Sequence, residues 1–184
     1  MIQTKQDLKA YIKADESRYS MRHPRILGWI LSDETYFVKR YLNVLRRLEY
    51  MTNRKKHLWD YPYYFYLVFK HRRISLKSGL HILPNVVGKG LYIPHISEGI
   101  ILNASKIGDY CTVNAGVVIG NKTGQIEKAV IGNNVEITLG AKVIGAVNIG
   151  DNVIIAPNSV VVKDVEDNTI VSGVPAKFLK RREL

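Results

Sequence analysis

Between residues 101 and 161, one register of positions six residues apart is almost wholly β-branched: Ile101, Ile107, Val113, Ile119, Ile131, Ile137, Val143, Ile149, Ile155 and Val161, with Gln125 the single break. A strand turns successive side chains to opposite faces, so a flat wall of about six residues, corner included, brings the same inward position round once per wall. Three such walls make one coil of roughly 18 residues, the spacing of a parallel β-helix. The residue after the inward aliphatic is glycine at Gly108, Gly120, Gly132 and Gly150, which suits a tight corner. Four residues after the aliphatic stands something compact or β-branched, namely Cys111, Val117, Val135, Ala141, Val147, Val153 or Ser159, sized for a narrow interior. Ordinary antiparallel strands would alternate with period two and show turn signals roughly every 8 to 12 residues. The pattern predicts a mainly β chain built on a parallel β-helix.

Before residue 80 the period changes. Thr4 can cap a helix running through Asp15, with Asp7 three residues later as in a capping box and Leu8, Tyr11 and Ile12 on one face. Ser32 is placed to cap a second helix, with Asp33 and Glu34 in its first turn and Tyr41, Leu42, Leu45 and Leu48 as its apolar stripe. A third segment, about residues 60 to 72, is too uniformly aromatic to assign by period. These signals divide the chain into an N-terminal α-helical region, 1–79, and a β-helix domain with a C-terminal tail, 80–184.

Composition sharpens that division. Residues 1 to 79 hold 17 Lys and Arg against 7 Asp and Glu, whereas residues 80 to 184 hold 10 against 9, so the net charge of +11 belongs almost entirely to the helical part. The same part carries 14 of the 17 aromatic residues. The basic stretches Arg54 to His57 and Lys70 to Arg73 suit either a solvated surface or contact with anionic lipid or a phosphorylated substrate. No nucleic-acid-binding motif accompanies them, and no nucleic acid is expected as a partner. No apolar run approaches the roughly 18 residues needed to span a bilayer, and the amino terminus lacks a signal peptide's apolar block, so a cytoplasmic location is expected. The lone cysteine, Cys111, occupies an inward position and reads as a buried structural thiol.

Chemistry then rests on few groups. Of the five histidines, His23, His57, His71, His81 and His95, only His81 and His95 lie at or inside the β-helix. A zinc site of the carbonic anhydrase kind needs three convergent histidines, so no metal is expected. The imidazole of His95, in Tyr92-Ile93-Pro94-His95, is either structural or a general base suited to neutral pH.

The segments 88–108 (GKGLYIPHISEGIILNASKIG), 117–135 (VVIGNKTGQIEKAVIGNNV) and 150–180, which contains Gly173-Val174-Pro175-Ala176-Lys177, resemble the serine acetyltransferase group of hexapeptide-repeat acyltransferases. The likeness is closest to members associated with surface-polysaccharide biosynthesis. It extends weakly to DLKAYIKADES (7–17) and to the Arg-Arg of VLRRLEY (44–50). The resemblance implies a left-handed parallel β-helix, acetyl-CoA as co-substrate, and a homotrimer with active sites between subunits. Residue by residue, it implies that His95 is the general base that deprotonates an acceptor hydroxyl. It makes Asp15 an acceptor-binding carboxylate, a role that competes with a helix-end charge. Coenzyme A would follow Gly120, Leu139, Gly140, Ala141 and Pro157, with its nucleotide near Val162, Lys163 and Lys177.

Three departures bear on the acceptor. An aspartate expected before the histidine is Pro94, the aspartate that would orient the histidine has no counterpart, and the second active-site histidine falls at Lys128. Glu98, just after His95, is a candidate to compensate, and Pro157 removes one backbone N–H from the coenzyme groove. The expected activity is therefore acetyl transfer to a sugar hydroxyl of a surface-glycan precursor, with L-serine acetylation or an inactive scaffold as alternatives. The aromatic, basic helical region is expected to cover one end of the β-helix, with peripheral membrane contact as a further use.

Overall fold

A computed structural model describes residues 1–20 and 24–183, which leaves His23 outside the described residues. Helix α1 spans Lys5–Ser17, α2 Arg25–Ile30, α3 Glu34–Asn53 and α4 Tyr61–Ser78, the last preceded by a 3-10 turn at Leu58–Asp60. The capping box at Thr4 and Asp7 forms as the sequence indicates. In α3 the cap is Asp33 rather than Ser32: its carboxylate accepts from the Thr35 N–H at 2.8 Å, while Ser32 takes a left-handed φ of 54° in the preceding turn. The unassigned aromatic stretch is α4, whose buried side is Leu67, His71 and Ser75, four residues apart. Gly79, with φ 70°, ends it in the left-handed conformation that glycine adopts freely.

The β-helix follows at once. Its first wall is β1 (Leu80–Ile82), β2 (Ile100–Leu102), β5 (Val118–Gly120), β8 (Lys142–Ile144) and β11 (Val160–Val161). The second is β4 (Thr112–Val113), β7 (Glu136–Ile137), β10 (Ile154–Ile155), β12 (Thr169–Ser172) and β13 (Lys177–Arg181), and the third β3 (Lys106–Ile107), β6 (Val130–Ile131) and β9 (Asn148–Ile149). Every wall pairs in parallel except for β13, which folds back antiparallel on β12.

The six-residue register is inward and buried from Ile107 to Val161. Ile101 departs from it: the side chain is 44% exposed, because Ile100 and Leu102 take the inward positions of β2 and the step to Ile107 is shortened by one residue. The break at Gln125 has a structural cause as well. Ile131 pairs with Ile149, 18 residues on, but Ile107 pairs with Ile131, 24 residues on. One wall's length of chain, within residues 121–129, leaves the coil as a loop.

Corners stack tightly. A Cβ on Gly132 would lie 2.7 Å from the Gly150 carbonyl oxygen, closer than side-chain atoms can approach. Asn134, Asn152 and Asn168 take left-handed φ at this same corner, and their amides bond in a ladder at 2.8 Å per step. Tyr41, Leu42 and Leu45 of α3 pack into the same core as Leu80 and Ile82, so the helices close the N-terminal end of the coil. At the other end, Arg182 N–H bonds the Asn168 carbonyl at 2.9 Å. Cys111 is buried, and that burial pushes its thiol up to about 11, as suits an inert structural residue. Among the described residues no helix is long and apolar enough to cross a membrane.

Candidate active site

The segment that leads to His95 is anchored from the helical region. Asp15 Oδ1 accepts the Gly90 N–H at 2.7 Å and the Leu91 N–H at 3.1 Å, and Asp15 Oδ2 accepts from Arg46 Nε at 2.8 Å. Arg46, fully buried, also donates to Glu49 at 3.0 Å and to the Val87 carbonyl at 2.8 Å. Two residues before His95, the Ile93 N–H donates to Tyr19 Oη at 2.8 Å. A buried charge needs a partner and filled hydrogen-bond positions; here Arg46 pairs with Asp15 and Glu49, and the backbone of residues 87–91 fills the positions left. Asp15 is 3% exposed with both oxygens engaged inside the protein, so what the structure shows for it is a structural role.

His95 itself sits on an open loop. Its Nδ1 lies 3.0 Å from Glu34 Oε2, the first residue of α3, with the side chains 63% and 41% exposed. An ionised carboxylate can only accept, so Nδ1 is the donor of this bond, and in the neutral imidazole the lone pair then lies on Nε2. This is the arrangement of a general base held by an acidic partner. The sequence shows Glu34 only as a favourable first-turn charge. Its approach to His95 bridges 61 residues, and no local spacing announces it.

Glu98 lies on the next turn, its carboxylate so close over Gly116 of the following coil that a Cβ there would stand 2.7 Å from Oε2. Lys142 donates to the Gly116 carbonyl at the same corner. Lys128 is half-buried at the end of the 121–129 loop, on a different corner of the coil.

The positions expected to hold coenzyme A gather around the first wall. Gly120 pairs with Ile144 on its outer face, and a Cβ on Gly120 would meet nothing within 4 Å. Val162 extends β11 on that face, and Lys163 follows, exposed. Leu139 and Pro157 occupy successive coils at the preceding corner, where the Asn158 N–H bonds the Leu139 carbonyl at 2.9 Å; both are exposed. The tail passes beside this wall, since the Ala176 N–H bonds the Val160 carbonyl at 2.8 Å, and exposed Lys177 comes next. Gly140 backs on this corner, but Ala141 does not reach it. Ala141 is fully buried, its N–H bonds the Thr138 carbonyl and its carbonyl accepts from Val118, each at 3.2 Å. Apart from Ala141, the residues fit an extended thioester with phosphates: an open, mostly aliphatic face with lysines at its margins. Among the described residues no group of three His, Cys, Asp or Glu is placed to hold a metal ion.

No protein-family model matches the chain. Over 109 residues it is 37% identical to the serine acetyltransferase of Synechococcus elongatus, covering 58% of this chain and 45% of that protein. Over 108 residues it is 35% identical to the serine acetyltransferase of Helicobacter pylori J99, covering 56% of this chain and 63% of that protein. The chain thus matches less than two thirds of the length of these relatives. In fold, it resembles serine acetyltransferase from Brucella abortus with a TM-score of 0.73 at 20% identity, covering 97% of this chain and 71% of that one. It also resembles the Neisseria gonorrhoeae serine acetyltransferase solved in complex with serine, with a TM-score of 0.69 at 24% identity, covering 96% of this chain and 70% of that one. By sequence over a little more than half its length the chain is similar to serine acetyltransferases, and by fold over nearly all of it the chain is a left-handed parallel β-helix like theirs.

Proposed function

We propose that this protein is an acetyl-CoA-dependent O-acetyltransferase in which His95 is the general base and Glu34 its positioning residue. The observation that carries the reading is the 3.0 Å Glu34–His95 contact, which leaves Nε2 open at the rim of the coil. Acetyl-CoA would supply an activated thioester carbonyl. His95 Nε2 takes the proton of the acceptor hydroxyl as that oxygen attacks, then returns it to the departing thiolate sulfur. Glu34 fixes the tautomer and stabilises the imidazolium that forms between the two transfers. Gly120, Leu139, Gly140, Pro157 and Val162 would line the pantetheine path, and Lys163 and Lys177 would face phosphates. A structural neighbour solved as a serine acetyltransferase complex with CoA, at a TM-score of 0.69, supports this assignment.

L-serine is the acceptor the relatives favour, ahead of the sugar hydroxyl expected from the sequence. One observation keeps the sugar as a second reading. Asp15 is held by Arg46 and the backbone, Pro94 offers no carboxylate and Glu34 is turned to His95, which leaves Glu98 as the candidate to face an ammonium group. The proposal includes a cytoplasmic homotrimer, with the first wall facing a neighbouring subunit; the half-exposed Val118, Ile144, Val160 and Val162 on that wall support it. Release of CoA from acetyl-CoA, followed with L-serine and with a panel of nucleotide sugars, tests the reading. Turnover with serine alone selects the first acceptor and turnover with sugars alone the second. No turnover and no binding of CoA would leave an inactive scaffold. Sedimentation velocity gives the subunit number.

A further inference from the structure

Helix α4 presents a face that neither the core nor the candidate site uses. At about 100° per residue, Phe65, Phe69 and Leu76 fall within about 40° of one another on the outer side. They are 62%, 63% and 78% exposed. Exposed Arg72, Arg73 and Lys77 flank this strip, and from Tyr61 to Ser97 the chain contains no Asp or Glu. Tyr61, Tyr63 and Tyr66 lie half open around it, with Lys70 donating to Tyr66 Oη at 2.7 Å. Lys70 also borders an open groove of about 890 Å³, whose far wall is Ile26 and Trp29 of α2 and whose floor carries Lys39, Arg40 and Arg47 against the single carboxylate Glu16.

We propose that this outer face of α4, with the groove beside it, docks on an anionic lipid bilayer. An apolar strip flanked by arginine and lysine, with tyrosines at its margins, is the chemistry of a helix lying in the headgroup region. Charge complementarity selects the occupant. A second copy meeting face to face would oppose cations to cations, and the acidic corner of the β-helix around Asp151, Asp164 and Asp167 exposes only Val130 among its large apolar side chains, too little to cover Phe65, Phe69 and Leu76. An anionic bilayer supplies both the charge and the apolar depth. This docking holds whether or not the His95 site transfers acetyl.

Co-sedimentation of the full chain with vesicles of phosphatidylcholine, alone or mixed with phosphatidylglycerol, tests the proposal. Binding is expected to the mixed vesicles only, weakened by high salt. Both tryptophans, Trp29 and Trp59, are exposed in this region, so their emission should shift to the blue on binding. The exposed pair Phe65→Ser/Phe69→Ser should lower the partition coefficient roughly tenfold or more, and Arg72→Glu/Arg73→Glu at least as much. Absence of binding at low salt, or equal binding by both variants, overturns the proposal. So does self-association of the wild-type chain that Phe65→Ser/Phe69→Ser abolishes, without any vesicle binding.

Discussion

Glu34 Oε2 and His95 Nδ1 stand 3.0 Å apart, one at the first residue of α3 and the other on the loop that precedes β2. Two parts of the chain with separate hydrophobic patterns thus meet at the candidate base, as they also do where Asp15 and Arg46 hold the backbone of residues 87–91. The Glu34–His95 bond makes the helical region part of the candidate site as well as a plug for the coil.

If this pair acts as proposed, His95→Ala should lower kcat by at least roughly 100-fold, the lower range of general-base contributions. Glu34→Ala should lower kcat by roughly 10- to 100-fold, with the KM for acetyl-CoA little changed, because the carboxylate orients the imidazole and touches no substrate. Steady-state kinetics of CoA release measure both. A Glu34→Ala enzyme with wild-type kcat would remove Glu34 from the mechanism.

Asp15 offers a separate test, since its burial points to stability. Asp15→Ala leaves the Arg46 guanidinium short of one of its two carboxylates and frees the Gly90 and Leu91 N–H groups. Breaking a buried pair of this kind costs about 3–5 kcal/mol. Chemical or thermal unfolding should show that loss. An Asp15→Ala protein of normal stability with a raised KM for the acceptor would restore the role that the sequence resemblance suggested.

His71 gives the fold a pH dependence. Its Nε2 lies 3.1 Å from Tyr41 Oη, and burial lowers its pKa from the ordinary 6.5. The unfolded chain takes up a proton near 6.5 while the folded chain does not, so the contribution of His71 is present above that value and lost as pH falls below it. The melting temperature should drop between about pH 7 and pH 5, and His71→Leu should flatten that part of the profile. An unchanged profile in the variant would place the dependence elsewhere.

Glycine corners separate structure from binding. A Cβ on Gly132 meets the Gly150 backbone at 2.7 Å, so Gly132→Ala must displace one coil against the next and should lower the melting temperature by several degrees, as a loss of roughly 1–3 kcal/mol would. Gly120→Ala meets nothing within 4 Å. It should melt as the wild type does, yet raise the KM for acetyl-CoA if the first wall carries the pantetheine arm. Equal KM values would move the coenzyme path off Gly120.

The repeat made the architecture legible from the sequence alone. A period of six with β-branched inward residues admits few solutions, because every wall must bury the same side chain in the same narrow interior. The helix stripes and the Thr4 cap were legible for the same reason: they depend on residues a few positions apart. Even the interruption at Gln125 marked a real loop. The sequence erred where local geometry slips by one residue, at Ile101 and at the Ser32–Asp33 cap, since a one-residue shift turns a side chain to the opposite face without changing composition. The tertiary structure alone decided which carboxylate is buried and which lies beside His95. Asp15 and Glu34 are both acidic residues on helices facing the coil, and nothing near them in sequence tells them apart. Packing sends Asp15 inward to a buried arginine and two backbone N–H groups, and leaves Glu34 at the surface beside His95. The free energy of a carboxylate depends on its burial and its partners, and both are set by contacts between elements distant in sequence.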